Sequence, residues 1–245
     1  MRVAHVEAGL RSFDRSMPEE INRLLTDQLA DLLFTPSEDG NRNLAREGVD
    51  AAKVHLVGNV MIDTLIRMLP EAQKHVPADL PKRFVLVTLH RPSNVDDLDW
   101  LQRMLSSLEG LSSELAVLFP VHPRTRQRMA QAGLNGFHRS SLRLMDPLPY
   151  ISFLGLQQRA TLVITDSGGI QEETTYLGTP CLTVRENTER PVTVEIGTNI
   201  LVGREIDRVR SEAQRVLQGT ARKGRIPPLW DGRASARIAK VLLSQ

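Results

Sequence analysis

The pattern of apolar residues changes character near residue 84. From there on, runs of apolar and β-branched residues alternate with helical patterns such as those over residues 97–111 and 205–218. Continuous apolar strands that alternate with helices are typical of a parallel sheet covered on both faces. The predicted strands cover residues 84–89, 115–121, 141–144, 161–165, 180–184 and 199–202. This number of strands predicts a complete doubly wound α/β domain.

The front of the chain offers fewer strands. The candidates cover residues 2–6, 32–35 and 54–58, and helices over about 18–33 and 37–47 join them. Three strands make about half of a Rossmann-like sheet, and the edge of such a sheet leaves backbone groups unpaired. The first domain is therefore predicted to be incomplete.

The same pattern divides the chain into three parts. Residues 1–65 are predicted to form the partial N-terminal Rossmann-like domain, and residues 66–225 the complete C-terminal one. Residues 59–80 predict a helix and linker that cross between them. Residues 226–245 include an amphipathic helix over 232–243, which we expect to pack back towards the first domain.

Composition excludes several classes of partner. The chain has 245 residues, of which 24% are charged, yet its net charge is only +2. So small a net charge predicts no nucleic-acid or membrane partner. Cys181 is the single cysteine, which predicts a buried core thiol, no disulfide and a cytoplasmic location. Neither a signal-peptide core nor an apolar run of about 20 residues is visible.

Residues 164–174, ITDSGGIQEET, place two glycines where a predicted strand turns into a helix. Here a ligand can approach backbone N–H groups, and the helix N-terminus favours an anion such as phosphate. A carboxylate one turn further on, such as Glu173, can accept hydrogen bonds from ribose hydroxyls. The alternative is a tight turn in which Ser167 caps the helix and the acids favour its dipole. The segment alone leaves both interpretations open.

Histidine and arginine follow two successive predicted strands. LHRPSN places His90 and Arg91 at the end of one strand, and VHPRTR places His122, Arg124 and Arg126 at the end of the next. Such a histidine can act as acid, base or phosphate ligand, or merely cap a helix beneath a loop. Because both sets lie beside the glycine turn, together they predict an anion site. Neither H-x-x-x-H, C-x-x-C nor G-x-G-x-x-G is present, so we expect no metal and no dinucleotide cofactor.

The loop VRENTERP follows a further strand end and carries Arg185, Glu189 and Arg190. Alternating charges in a loop are usually solvated. Their place at the same sheet edge favours a functional role only modestly.

Two glutamates are candidates in the first domain. Glu7 follows an apolar strand and adjoins a glycine, which is typical of a catalytic acid in a cleft between domains. Glu19 lies in RSMPEEINR, where Ser16 and Glu19 fit a capping box and Pro18 favours a helix start. That structural explanation is sufficient for Glu19 by itself.

Together these segments resemble one family, the non-hydrolysing UDP-N-acetylglucosamine 2-epimerases, which have the GT-B fold of two Rossmann-like domains. The matching segments, in the family's order, are HVEAGLRS, PEEINR, LVGNVMIDTL, VTLHRPSN, DPLPYISFLGL, ITDSGGIQEET, LGTPCLTVRENTERP, GTNILVG and WDGRA. The resemblance implies that C2 of UDP-GlcNAc is inverted to give UDP-ManNAc for surface polysaccharide. UDP is eliminated anti to the C2 proton, 2-acetamidoglucal forms, and UDP adds back.

The resemblance also implies roles for individual residues. Glu7 and Glu19 would be acid/base residues, and His90 would contact the diphosphate or assist the leaving group. Substrate binding would fall to Phe153 at the uracil, Glu173 at the ribose, and Ser167, Gly168 and Gly169 at the diphosphate. Arg185 is a further expected substrate-binding residue. Arg91 and His122 resemble positions that contact an activating second UDP-GlcNAc in some members. The family implies no nicotinamide or metal cofactor.

The match begins inside the first domain. In the family, several βα units precede HVEAGLR, including a basic glycine-containing loop and a segment with a catalytic aspartate. None of these is present here, so Met1 resembles a start placed within that domain. The family's members are homodimers, and part of their dimer contact lies in the missing portion. HRPSN also departs from the HRREN of many members, which leaves the residues after Arg91 without an implied role.

Two alternatives stand beside the epimerase. A GT-B glycosyltransferase would share the DSGG turn and the ribose glutamate, but the HVEAGLR and PEEINR pair belongs to the C2 chemistry. A catalytically inactive fragment that still binds UDP-sugars is the other, because part of the first domain is absent.

Overall fold

The computed structural model describes residues 2–134 and 141–244. The strands are β1 (Ala4–Val6), β2 (Leu32–Thr35), β3 (Val54–Leu56), β4 (Phe84–Thr88), β5 (Ala116–Pro120), β6 (Leu142–Met145), β7 (Leu162–Thr165), β8 (Cys181–Thr183) and β9 (Asn199–Leu201). The helices are α1 (Pro18–Leu29), α2 (Glu38–Arg46), α3 (Val60–Lys74), α4 (Pro92–Val95), α5 (Leu98–Leu111), α6 (Pro123–Gln131), α7 (Tyr150–Arg159), α8 (Gly168–Leu177), α9 (Pro191–Glu195), α10 (Ile206–Leu217) and α11 (Ala234–Leu243).

The second sheet is parallel throughout and has the order β6-β5-β4-β7-β8-β9. This is the 3-2-1-4-5-6 order of a doubly wound Rossmann fold. Successive residues of β4 face opposite sides: Val85 and Val87 pack with α5, whereas Phe84 and Leu86 pack with Leu156 of α7. Helices therefore cover both faces, and the predicted six-stranded domain is confirmed.

The first sheet has the order β1-β2-β3 and is also parallel. Its three strands lie where the apolar pattern predicted them. Helix α1 ends at Leu29 rather than near residue 33, because the chain extends at Ala30 and enters β2 at Leu32. The α/β class, with parallel sheets and an incomplete first domain, is as predicted.

The C-terminal segment lies against the first sheet. Ile238 and Val241 of α11 pack on Phe34 and Val57, and an Arg237 Nη1 donates to the Val57 carbonyl at 3.0 Å. The Trp230 indole donates to the Pro36 carbonyl at 3.1 Å. The domain boundaries at residues 65 and 225 stay a prediction, and the outermost residues of the predicted parts, 1 and 245, lie outside the described residues.

Candidate functional site

A cleft opens at the point where the second sheet reverses its strand order. β4 and β7 are neighbours there, and the chain leaves them towards different faces of the sheet. Ligands of open α/β sheets bind in such a crevice, beyond the carboxyl ends of the strands. The cleft has a volume of about 700 Å³, and its walls include Glu19 from α1 with His90, Arg91 and Arg185 from the second domain.

Asp166 fixes the segment that follows β4. This fully buried carboxylate accepts from the backbone N–H groups of His90 at 3.1 Å and Arg91 at 2.9 Å, and from the Asn94 amide at 3.0 Å. Its Oδ1 also lies 3.1 Å from Nδ1 of the His90 ring. Burial alone would raise the pKa of Asp166, but these partners lower it below its usual range. An ionised Asp166 therefore orients His90, a role that ITDSGG did not reveal.

His122 lies against His90, with their ring centroids 5.4 Å apart. It occupies the N-cap of α6, where its Nδ1 accepts from the backbone N–H of Arg124 at 3.2 Å. Burial, followed by the field of His90, lowers the pKa of His122. The alternative role of a capping histidine thus applies to His122 rather than to His90.

The two arginines after His122 do not supply the predicted anion site. Arg124 forms two hydrogen bonds to Asp96, at 3.1 and 2.5 Å, and Arg126 pairs with Asp146 at 3.0 Å. Both guanidiniums are thus engaged by carboxylates that do not line the cleft. Arg91, which lines the cleft, is the cation that the predicted sets bring to it.

The glycine turn begins α8. Ser167 occupies the N-cap position, but its side chain makes no capping hydrogen bond, which leaves its hydroxyl free of that structural role. A Cβ at Gly168 would lie 2.8 Å from Nη1 of Arg190, whereas a Cβ at Gly169 would have nothing within 4 Å. The helix N-terminus is therefore open at Gly169 and bordered by a guanidinium at Gly168.

The side chains of Arg185, Glu189 and Arg190 in VRENTERP are largely buried, so the interpretation of these charges as simply solvated is wrong. The side chains of Arg185 and Glu189 are each 4% exposed and lie 2.7 Å apart. Glu189 also pairs with Arg190, and Arg23 of α1 approaches it to 3.9 Å. Burial alone would raise the pKa of Glu189, but Arg190 and Arg185 lower it to about 2. The loop folds inward because these charges neutralise one another, which spacing along the chain does not show.

Arg190 also connects the glycine turn to Glu7 through Glu172. Its Nε lies 2.9 Å from Oε1 of Glu172, which further accepts from the Asn59 amide at 2.8 Å. Burial raises the pKa of Glu172 to about 7, opposed by Arg190 and assisted by the charge of Glu7. Glu172, Asn59 and the burial of Arg190 were not predicted, because Asn59 and Glu172 are 113 residues apart in sequence.

Glu7 has a left-handed backbone with φ of 69°, which is costly for a residue with a side chain. Asp27 braces both sides of it: one oxygen contacts His5 Nδ1 at 2.5 Å, and the other accepts from the Gly9 N–H at 3.0 Å and pairs with Arg11 at 2.7 Å. Strain held by such a framework is typical of functional positions. Glu7 Oε1 is buried and has no hydrogen-bond partner among the described residues.

The predicted capping box at Ser16 and Glu19 is wrong. Helix α1 has Met17 at its N-cap, and the Ser16 hydroxyl bonds to Asp14 instead. The neighbouring Glu20 is the structural glutamate, since it accepts from the N–H and hydroxyl of Ser12 and from the next backbone N–H. Glu19 is thereby released from that role and faces the cleft.

Glu173 lies away from the cleft wall, between α8 and α7. It is 5% exposed, and the Gln157 amide donates to its Oε2 at 2.5 Å. The Tyr150 phenol lies near the same carboxylate, since burial and then the charge of Glu173 raise the pKa of Tyr150. Phe153, one turn after Tyr150, packs beside the apolar layer that includes Leu156. The structure thus places Phe153 on α7 and Glu173 on the facing helix α8. The residues around the cleft are Glu19, His90, Arg91 and Arg185.

Residues 2–134 and 141–244 contain no cluster of three histidine, cysteine or acidic side chains arranged to hold a metal ion. None of the helices in those ranges has the length and apolar character needed to cross a membrane. Cys181 is buried in β8, and burial raises its pKa to about 12, as expected of a core thiol.

Comparison with known families identifies this arrangement. The family described as UDP-N-acetylglucosamine 2-epimerase matches residues 1–243. The chain belongs to this family.

Two relatives show the range of the family. A UDP-N-acetylglucosamine 2-epimerase of Methanococcus maripaludis is 37% identical over 256 residues, which cover 100% of this chain and 69% of the relative. A UDP-2,3-diacetamido-2,3-dideoxy-D-glucuronate 2-epimerase of Pseudomonas aeruginosa is 40% identical over 244 residues, covering 98% and 67% respectively. This epimerase chain therefore matches about two thirds of each relative's length.

A solved structure agrees with the fold. The Methanocaldococcus jannaschii UDP-GlcNAc 2-epimerase, crystallised with UDP-GlcNAc and UDP, superposes with a TM-score of 0.89 at 38% identity. The match covers 100% of this chain and 69% of that one. The family's GT-B architecture is thus present in this epimerase, with its first domain incomplete.

Proposed function

We propose that this chain is a non-hydrolysing UDP-N-acetylglucosamine 2-epimerase that interconverts UDP-GlcNAc and UDP-ManNAc. A base takes the C2 proton, and the C1–O bond breaks as UDP leaves from the opposite face. The products of this step are 2-acetamidoglucal and UDP. An acid then protonates C2 from the other face while UDP adds back at C1.

The proposed chemistry needs two acid/base groups and a site that retains UDP. Glu7 and Glu19 are the proposed acid/base residues, and His90 is the proposed diphosphate contact that assists departure of the leaving group. Asp166 holds His90 in position. Glu7, for its part, is held at a fixed strand end by Asp27 and lies within the electrostatic reach of Arg190.

We place the diphosphate at the N-terminus of α8. Backbone N–H groups at Gly168 and Gly169, the Ser167 hydroxyl and the positive end of the helix favour an anion there. The Ser167 N–H already donates to Oγ1 of Thr165 at 3.0 Å. Arg190 lies beside Gly168, and Arg185 in the cleft wall has an Nη1 without a hydrogen-bond partner among the described residues, so guanidinium N–H donors border this position. Glu173 is the proposed ribose ligand and Phe153 the proposed uracil contact. Arg91 and His122 are proposed to contact a second UDP-GlcNAc.

One observation carries the proposal most strongly. Glu19 of the first domain and His90 of the second line the same cleft at the strand-order reversal. They are 71 positions apart in the sequence. A site built from both domains suits a reaction in which a nucleotide leaves and returns. A glycosyltransferase has no need for the strained Glu7 or for a released Glu19.

Proton NMR of UDP-GlcNAc in deuterium oxide tests the proposal. We expect the C2 proton signal to disappear as deuterium is incorporated, and an anomeric signal of UDP-ManNAc to appear. A folded chain that binds UDP but exchanges no C2 proton would contradict the epimerase assignment and favour the UDP-sugar-binding fragment.

The P. aeruginosa relative raises a second candidate substrate, a UDP-hexuronate with two acetamido groups. Arg185 Nη1 is buried in the cleft wall without a hydrogen-bond partner among the described residues, and Arg91 stands near enough for its pKa to be lowered by Arg185 after burial. Two such guanidiniums also suit a carboxylate. C2 exchange measured with each substrate in a separate sample decides between them. Faster exchange with the uronate would show that the uronate, rather than UDP-GlcNAc, is the substrate.

A further inference from the structure

Helix α7 presents two polar side chains to Glu173. Tyr150 and Gln157 are seven residues apart, so they lie on one face of the helix, two turns from each other. Gln157 is fully buried, whereas Tyr150, at the first turn, is 42% exposed. Gln157 donates to the carboxylate of Glu173 on the facing helix α8. Tyr150 lies near enough to that carboxylate for its charge, after burial, to raise the pKa of the phenol.

Helix α7 is held firmly from its other side. A Cβ at Gly155 would lie 2.6 Å from the carbonyl oxygen of Ala72, so the backbones of α7 and α3 are in close contact. Leu154 of α7 packs with Leu65 and Ala72 of α3 in the same layer. The Tyr150 and Gln157 side chains therefore extend from a fixed platform.

Gln157 acts as a donor towards Glu173, and Tyr150 offers a hydroxyl near the same carboxylate. Gln157 Nε2 donates at 2.5 Å, and the amide oxygen of Gln157 is left buried without a hydrogen-bond partner among the described residues. An unpaired buried amide oxygen is costly. Turning the amide round would bring its oxygen against the carboxylate, so the observed orientation is set by an acceptor at Glu173.

Donors from α7 leave part of the carboxylate free. A carboxylate offers about four acceptor positions. If Gln157 and Tyr150 each use one, two positions remain for a pair of neighbouring hydroxyl groups. Burial raises the pKa of Glu173, and the hydrogen bonds from Gln157 and Tyr150 oppose that rise. The same contacts thus favour the charged form and fix its direction.

We propose that Gln157 and Tyr150 are positioning residues that hold Glu173 as a two-hydroxyl acceptor and so make the site selective for ribonucleotides over 2′-deoxyribonucleotides. The inference rests on the proposed function, in which Glu173 binds the ribose. It adds the residues that give Glu173 its specificity.

Calorimetric titration with UDP and with 2′-deoxy-UDP tests the inference without requiring turnover. The two nucleotides share uracil and diphosphate, so the ratio of their dissociation constants reports the 2′-hydroxyl contact alone. We expect wild type to prefer UDP by about tenfold, as for one hydrogen bond to a charged group. In Gln157→Met the preference should fall to about twofold. A general loosening of the fold would weaken the binding of both nucleotides equally and leave the ratio unchanged.

Two further variants make the experiment decisive. Gln158→Met changes the exposed neighbour on the same helix and should keep the full preference. Tyr150→Phe removes only a hydroxyl from a partly exposed side chain and should also reduce the preference, which decides the question if Gln157→Met fails to fold.

The possible failures can be told apart. An unchanged preference in both the Gln157→Met and Tyr150→Phe variants would overturn the inference and leave the epimerase proposal standing. Equal binding of UDP and 2′-deoxy-UDP by wild type would also overturn it, because no ribose selectivity would exist. A wild-type chain that fails to bind UDP at all would overturn the nucleotide site itself, and with it both proposals.

Discussion

The two domains solve the problem of supporting a site in different ways. In the second domain, β4, β5, β7 and β8 lie inside a six-stranded sheet, and nearly all of their residues are buried. In the first, β1 is an edge strand with two exposed residues out of three. Within residues 2–29, the exposed large apolar side chains are Val3, Val6, Phe13, Leu25 and Leu29.

Polar contacts in the first domain take over part of the role of packing. Asp27 ties Gly9 and Arg11 to α1, and Arg11, although 2% exposed, also forms two hydrogen bonds to Glu47. Buried charge networks specify a geometry, but they are sensitive to the loss of one partner. The proposed nucleotide site therefore rests on a covered sheet, whereas the proposed acid/base chemistry rests on a network of ionic contacts.

The largest expected effect comes from removing an acid/base group of the first domain. Glu7→Gln keeps the shape of the side chain but removes its basicity, so C2 exchange should slow by about 10²- to 10⁴-fold. The measurement is NMR exchange at saturating UDP-GlcNAc. Glu38→Gln, at an exposed position of the same domain, should exchange at the wild-type rate. A Glu7→Gln variant that exchanges normally would remove Glu7 from the chemistry.

A stability measurement probes the charged loop of the second domain. Glu189→Gln leaves Arg185 and Arg190 without their buried counter-charge, so we expect a loss of about 3 kcal/mol in the free energy of unfolding at pH 7. Urea denaturation measures this difference. Glu186→Gln, exposed in the same loop, should change stability by less than about 0.5 kcal/mol.

The difference in stability between wild type and Glu189→Gln should depend on pH. The pKa of Glu189 lies at about 2 in the folded chain, below its ordinary value of 4.5. A lowered carboxyl pKa contributes stability above the unfolded pKa, and this contribution is lost as pH falls through the folded one. The gap between wild type and Glu189→Gln should therefore be widest above pH 4.5 and narrow towards pH 2. A gap independent of pH would contradict the ion-pair explanation.

A smaller effect is expected at the glycine turn. A Cβ at Gly169 meets no atom within 4 Å, so Gly169→Ala should fold normally. If the diphosphate lies against this turn, UDP affinity should nevertheless fall about tenfold or more. Gly110→Ala, at another uncrowded helix position, should leave UDP affinity unchanged. Wild-type affinity in Gly169→Ala would place the diphosphate elsewhere.

The smallest effect on stability concerns the exposed edge. Leu29 of α1 is 78% exposed and Leu243 of α11 is 90% exposed, so lysine at either position should change stability by less than about 0.5 kcal/mol. Their effects on association should differ, because Leu29 belongs to the first domain, whose exposed apolar side chains also include Val3, Val6 and Phe13. Light scattering should show reduced self-association for Leu29→Lys alone. Equal self-association of the two variants would show that the exposed edge of the first domain does not mediate association.

Prediction from sequence succeeded where periodicity governs the outcome. All the strands lie within about two residues of their predicted positions, because buried parallel strands leave continuous apolar runs. Their carboxyl ends then had to meet at one edge, which brought His90, Ser167 and Arg185 to the same side of the second sheet.

The sequence was less informative about long-range polar contacts. The predicted capping box is absent because α1 has Met17 at its N-cap. Glu20, rather than Glu19, accepts hydrogen bonds from the backbone N–H groups of Ser12 and the next residue. Nothing in the local pattern shows that Asn59 meets Glu172, or that Arg190 is buried between Glu172 and Glu189. Such pairings depend on the packing of the two domains, to which no single segment contributes a periodic signal.

We expect the proposed nucleotide site and the proposed acid/base pair to be supported by different domains. Calorimetric titration of UDP into the Glu7→Gln/Glu19→Gln double variant measures whether this is so. We expect a UDP dissociation constant within about threefold of wild type, since a factor of three is under 1 kcal/mol. A loss of UDP affinity of a hundredfold in a folded double variant would contradict it, because the first-domain carboxylates would then belong to the nucleotide site itself.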